Sequence, residues 1–290
     1  MTISTGYRHG DFPCAVNGVF AKRVQSINLD DAAALRTTSE LGHFEVVGQS
    51  QDSDTYRGSI SWFPIDNQVE CLFAGYPAAV ANTATGSPVS LAQLVNSGGG
   101  IPVHTLKTLF DGCKVTSLEY TATAEGEFRG TVNFEGTSMA TGSAINIIPV
   151  SGVGAYTGKD VKVEVNGVTG IRMTGITARA NIASTTLKEL NNANPVGVAQ
   201  DAPTVTCDID FVESDAMAAN NLLTLTDPKD IVITVGASAK VITLKNMVSG
   251  SAKRGDRGNV NGWATRRYSY QSSSESTYYG LVTDIVTHAV

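Results

Sequence analysis

The chain has 290 residues, of which 17% are charged and 42% hydrophobic, and its net charge is −6. That much apolar side chain builds a core and excludes general disorder, while the acidic balance excludes a protein that coats nucleic acid through a basic surface. No apolar run reaches the roughly 18 residues of a membrane-spanning helix, and the polar start Met1-Thr2-Ile3-Ser4-Thr5 lacks a basic-then-apolar leader pattern, so neither membrane insertion nor secretion is expected.

In chain order, residues 1–12 form an N-terminal arm. Asp31–Leu41 is ambiguous between helix and strand, because its threonines weaken a helix. Residues 55–63 alternate, with Tyr56, Gly58, Ile60 and Trp62 on one face and Arg57, Ser59 and Ser61 on the other, the pattern of a half-buried strand. The stretch 76–103 reads as a long inserted loop of low charge. Within it Ser87-Pro88 opens a short helix, Val89–Asn96, with serine as cap and proline at the first helical position. Residues 114–121 and 127–135 form a hairpin through Ala124-Glu125-Gly126, with Leu118, Tyr120, Phe128, Gly130, Val132 and Phe134 inward. The segment 151–160 is a linker. Ile182–Leu190 is ambiguous for the same reason as Asp31–Leu41. Residues 204–212 alternate Val205, Cys207, Ile209 and Phe211 against Thr204, Thr206, Asp208 and Asp210. Ser214 caps a short helix over Asp215–Leu223. The runs 231–235 and 240–244 pair through Gly236-Ala237-Ser238-Ala239. Residues 249–262 and 271–277 read as polar loops; loops longer than about 12–15 residues tend to be functional or disordered, and the expectation here is contact between subunits.

The chain reads as one unit written twice. Displaced by 149 positions, Val16-Asn17-Gly18-Val19 falls on Val165-Asn166-Gly167-Val168, Arg23 on Arg172, and Glu40-Leu41 on Glu189-Leu190. The strand at Tyr56 falls on the strand at Val205. Later the offset becomes 138, with Thr105-Leu106-Lys107 on Thr243-Leu244-Lys245, so the first copy carries about 11 extra residues within 75–103. A period this long marks a domain duplication rather than a solenoid. The expected organisation is an arm at 1–12, a first β domain at 13–150, a linker at 151–160 and a second β domain at 161–290. Like faces meeting head to tail close into rings.

Catalytic motifs fail on inspection. Gly136-Thr137-Ser138-Met139-Ala140 resembles a subtilisin-type nucleophile segment, but none of His9, His43 and His104 stands in the required setting. Gly152–Lys159 lacks the glycine spacing of a phosphate loop, and Asp160 replaces its Ser or Thr. Lys253-Arg254-Gly255-Asp256 is a solvated loop. The four histidines form no i, i+4 pair, and the acidic pairs at 52–54 and 208–210 lack the other ligands of a calcium loop. The four cysteines are scattered and read as buried thiols. The expectation is a protein that is no enzyme and binds no cofactor or metal.

Two charge groupings stand out. Glu119, Glu125, Glu127, Glu135, Asp208 and Asp210 lie on or beside the outward face of the expected strands. In a ring such a face lines a hole and repels DNA phosphates, so a polyanion passes without sticking. Lys253, Arg254, Arg257, Arg266 and Arg267 form a basic cluster suited to an acidic neighbouring subunit.

The chain resembles the phage tail tube proteins. The residues that carry the resemblance are Val24–Leu29 leading to Ser39-Glu40-Leu41-Gly42, the strand Thr55–Phe63, and the segment Cys113–Tyr120 with Gly126–Phe134. The resemblance implies a mainly β fold of two tandem sandwich or barrel domains, each with a short flanking helix. It implies a structural subunit that stacks in rings around a lumen through which double-stranded DNA is delivered. The partners it implies are other tail proteins and further copies of this chain. Duplication points to three chains in a pseudo-six-fold ring, with a hexameric ring as the alternative. The implied location is the virion tail, assembled in the host cytoplasm. A tail-tip or hub protein of the same fold, and a surface carbohydrate-binding β module, are the competing readings.

Overall fold

In the computed structural model, the described residues are 14–16, 19–21, 23–38, 48–65, 69, 87–95, 103–142, 155–169, 171–192, 194–201, 204–212, 228–236, 240–260, 263–272 and 282–283. The chain is mainly β, and a single antiparallel sheet of 15 strands dominates it. The first strands are β1 (Cys14–Val16), β2 (Val19–Phe20), β3 (Val24–Thr38), β4 (Gly48–Trp62), β5 (Ser87–Val95), β6 (Val103–Thr123), β7 (Arg129–Gly136) and β8 (Ser138–Gly142). After a 3-10 turn at Gly158–Asp160 come β9 (Val161–Val165), β10 (Met173–Asn181), β11 (Ser184–Leu187), β12 (Gly197–Gln200) and β13 (Thr204–Val212). The chain continues with β14 (Lys229–Val235), β15 (Lys240–Val260), β16 (Trp263–Ser272) and β17 (Val282–Thr283). Strands β11 and β12 make a separate two-stranded sheet.

Period-2 alternation places one face of each strand in the core. In β7 every second residue is buried, ending on Gly130, Val132, Phe134 and Gly136. In β13 Val205, Cys207, Ile209 and Phe211 are buried, as the alternation predicts. The buried side chains form one cluster that draws on strands from β1 through β16. Aromatic rings organise it: Trp62 meets Tyr120 edge-on at 6.2 Å, Tyr120 stacks on Phe128 at 5.8 Å, and Phe211 meets Tyr268 edge-on at 5.6 Å.

Strand order and register recur. Residues 14–136 pair in the order β1-β5-β6-β7-β4-β3, and residues 161–272 in the order β9-β14-β15-β16-β13-β10. Val16 pairs with Val89 as Val165 pairs with Ile231. The bulge between Val24 and Ser26 recurs between Met173 and Gly175. The ladder from Leu35↔Gln51 to Thr38↔Gly48 recurs from Ser184↔Gln200 to Leu187↔Gly197. Gly112 has φ +60°, and Asn246, at the matching point of β15, has φ +52°; both stand beside a register shift, where a left-handed residue turns the strand. The strand pairing corrects the later offset. Phe110 pairs with Val89 and Leu244 with Ile231, so β6 falls on β15 at 134 and not at 138. A slip of four leaves every side chain on its own face, which is why the Thr-Leu-Lys match was compatible with alternation.

Other expectations are corrected. Ser87–Val95 is a strand, not a helix, because β1 and β6 supply ladder partners on both its sides. Pro88 falls at the register shift between Ser87 and Val89, where a missing N–H costs no ladder bond. The expected insert 76–103 therefore contains a sheet strand. The helix expected at Asp215–Leu223 lies outside the described residues. Both ambiguous segments contain strand, β3 as far as Thr38 and β11. The polar stretch expected as a loop at 249–262 is strand as far as Val260. Its pairing with β16 jumps from Ala252↔Tyr268 to Arg257↔Arg266, leaving 253–256 as a bulge. The hairpin turn at 124–126 and the strand 204–212 fall where expected, and β14 and β15 pair up to Val235↔Lys240, with 237–239 outside the described residues.

Candidate assembly interface

Among the described residues, the first and second halves of the sheet meet at one seam. Strand β6 pairs with β7 along one edge, and along the other its residues Ser117–Thr123 pair with Gly175–Asn181 of β10. On the inward face Leu118, Tyr120 and Ala122 of β6 lie beside Ile176, Ala178 and Ala180 of β10, all buried. Small residues on β10 leave room for Tyr120, whose ring also carries the buried Lys240 ammonium 5.1 Å from its centroid, a cation–π contact. On the outward face Arg179 pairs with Glu119, its Nε donating at 2.7 Å. The segment before β9 is tied to the same region. Phe128 N–H donates to the Tyr156 carbonyl at 2.8 Å, and Gly158 N–H donates to that of Gly126 at 2.8 Å. Asp160 accepts from the Thr157 N–H and hydroxyl, both at 3.0 Å. These bonds favour the ionised carboxylate and hold it below its usual range.

The six expected acids do not form a bare negative wall. Glu119 is held by Arg179, Glu127 by Arg129 at 3.0 Å, Glu135 by Arg57 at 2.9 Å, and Asp210 by both Arg267 Nε and Nη2 at 2.8 Å. Asp208 accepts from Ser269 Oγ at 2.5 Å. Glu125 is exposed in the β6–β7 turn. For Glu119, Glu135 and Asp210 the reason is register: alternation puts an arginine on the same outward face, one strand away. Asp30, Arg57, Glu135 and Lys114 lie in one row of Cα partners across β3, β4, β7 and β6, with alternating sign. The expected polyanion-repelling face is thus a charge-balanced one.

The basic cluster is likewise divided. Arg267 is committed to Asp210 within the chain, and Arg266 Nη1 lies 3.4 Å from the Tyr268 hydroxyl. Lys253 and Arg254 fall in the β15 bulge, and Arg257 resumes the ladder after it.

Several residues at this interface were not singled out from the sequence. The hairpin β11–β12 lies across strands of the first half. Ser184 Oγ donates to Glu135 at 2.9 Å, Gln200 Nε2 donates to the Val115 carbonyl at 2.6 Å, and the Tyr56 hydroxyl bonds Asn194 Oδ1 at 2.8 Å. Its tip exposes Leu187, Val196 and Leu190, the last 98% accessible. The available signal was the Glu-Leu at 189–190, which repeats the Glu-Leu at 40–41; of the two leucines, Leu190 is the one among the described residues, and the core does not use it.

Cys14, Cys113 and Cys207 are buried free thiols; Cys71 lies outside the described residues. Burial pushes the Cys14 thiol up to about 12 and pushes Cys207 up as well. Among the described residues no three His, Cys, Asp or Glu side chains gather as metal ligands, and no helix is long and apolar enough to cross a membrane. No protein-family model matches the chain, and no curated protein matches it.

Proposed function

We propose that the chain is the structural subunit of a phage tail tube, built as two tandem tail-tube-type β domains. The observation that carries this reading is the β6–β10 seam. Two runs of strands with the same order and bulges are joined there edge to edge and head to tail. A ring is that step repeated between chains. Three chains then supply six like units, with a six-chain ring as the alternative. The outward charge-balanced face lines the passage for double-stranded DNA. Arginine-neutralised carboxylates offer phosphates neither a strong attraction nor a free carboxylate wall. The exposed leucines at the β11–β12 tip provide apolar area for contact between stacked rings. The role needs no catalytic residue or cofactor, and it places the protein in the virion tail.

Electron microscopy of the purified chain tests it. Hollow rods with three-fold rings of six similar lobes are expected. Six-fold rings of twelve lobes keep the tube and refute the trimer. Closed rings that do not stack favour a tip or hub protein. A monodisperse monomer at assembly concentrations removes the tube reading.

A further inference from the structure

We infer that chains join by adding strand β3 of one copy to the far edge of β15 of another, in the register of the internal β6–β10 seam. The inference rests on the reading of the chain as two like halves. Among the described residues β3 pairs only with β4, and beyond Met247 β15 pairs only with β16. Both edges are therefore open ladders, the kind of edge that takes up another strand. Their counterparts inside the chain, β10 and β6, are paired to each other.

The register follows from the pairings. Positions 175–181 correspond to 26–32. Through β7 and β16, Ser117 and Leu118 correspond to Ser251 and Ala252, and Tyr120–Thr123 to Arg257–Val260. The seam between chains then sets Ser26 opposite Val260, Asn28 opposite Gly258, and Ala32 opposite Ser251. Asp30 falls opposite the 253–256 bulge, at the register position of Glu119.

Three observations support this register. First, the charge pair is retained with its sign reversed. Within the chain the β10 member is Arg179 and the β6 member Glu119; between chains the β3 member is Asp30, which is exposed, and the bulge carries Lys253 and Arg254. Second, Ile27 and Leu29 are only partly buried, whereas their counterparts Ile176 and Ala178 are covered by the seam. Third, the ladder of β4 with β7 ends at Tyr56, so the outer part of the β3–β4 hairpin has no third strand among the described residues. An isolated two-stranded ribbon is marginal in water. Its counterpart β11–β12 is held against Glu135 and the Val115 carbonyl of the other half, and the same step between chains lays the β3–β4 hairpin on the next copy.

Cysteine cross-linking tests the register. The N28C/G258C double variant, oxidised under assembly conditions, should give a ladder on non-reducing gels in steps of the 30.4 kDa chain. N28C mixed with G258C should stop at dimers. N28C alone, and N28C/S251C, should not cross-link. S26C/V260C provides a second pair if the first fails to fold by circular dichroism. D30K should raise the concentration needed for assembly about tenfold, and K253D/R254D in the same chain should restore it. Rods or rings without the ladder overturn this register and leave the tube reading standing. A folded monomer overturns both. Dimers of N28C alone overturn the head-to-tail sense, and D30K assembling as wild type overturns the charge pairing.

Discussion

Gly130 has no side chain because the Trp62 indole occupies the space. A Cβ at Gly130 would lie 2.7, 2.8 and 2.9 Å from three atoms of that ring. The indole cannot retreat. It is 2% exposed, abuts Tyr120 edge-on, and Tyr120 is itself stacked on Phe128 and capped by Lys240. Overpacking of this kind costs about 1–3 kcal/mol. The gain from a less flexible unfolded chain, about 0.4–1 kcal/mol, opposes it. Gly130→Ala should therefore lose about 1–2 kcal/mol. At roughly 2–4 °C per kcal/mol for a chain of this size class, Tm falls by about 2–8 °C. Calorimetry with urea unfolding measures it. Gly197→Ala is the control, because its Cβ would meet only Leu187 Cδ1 at 3.7 Å. Adding Trp62→Phe should recover part of the loss, seen as coupling in a double-mutant cycle. Gly130→Ala as stable as Gly197→Ala would refute the steric argument.

Arg179→Ala should cost no more than about 1 kcal/mol, since the pair is partly exposed, and the loss in urea unfolding should shrink at high salt. Tyr56→Phe removes the bond to Asn194; hydrogen exchange should quicken at residues 184–200 while the core strands keep their protection. Asp160 has its folded pKa lowered from 3.8 by the Thr157 bonds, so its stabilisation is present above that value and lost as pH falls through the folded one. Asp160→Asn should thus unfold more easily than wild type at neutral pH and match it in strong acid. For Cys14 the folded pKa is raised from 9.0 to about 12, so its contribution is full below pH 9 and lost as pH rises toward 12. Wild-type stability should fall across that window more steeply than that of Cys14→Ala.

Strands whose two faces differ were legible in the sequence. Tyr56–Trp62 and Val205–Phe211 alternate so regularly that both position and facing were readable. Segments whose state is set by neighbours were not. Ser87–Val95 carries a serine cap and a proline, local helix signals, yet two ladder partners outweigh them. The 249–260 stretch has almost no apolar residues, and only β16 makes it a strand. At the interface the acids were readable as outward, but their partners Arg57 and Arg179 are distant in sequence and meet them only through register. The slip of four between the apparent Thr-Leu-Lys match and the paired register of β15 is invisible to any parity argument.

The seam joins Ser117–Thr123 to residues about sixty positions later in the chain. At roughly 5–20 residues per second, synthesis takes about 3–12 seconds to deliver them. For those seconds the nascent first half presents a β6 edge, seven residues long, with no β10 to close it. On a polysome, neighbouring nascent chains present the same edge at high local concentration. Glu119, next to its centre, then brings like charges close whenever two such edges meet in register, a gatekeeper for the interval before Arg179 emerges.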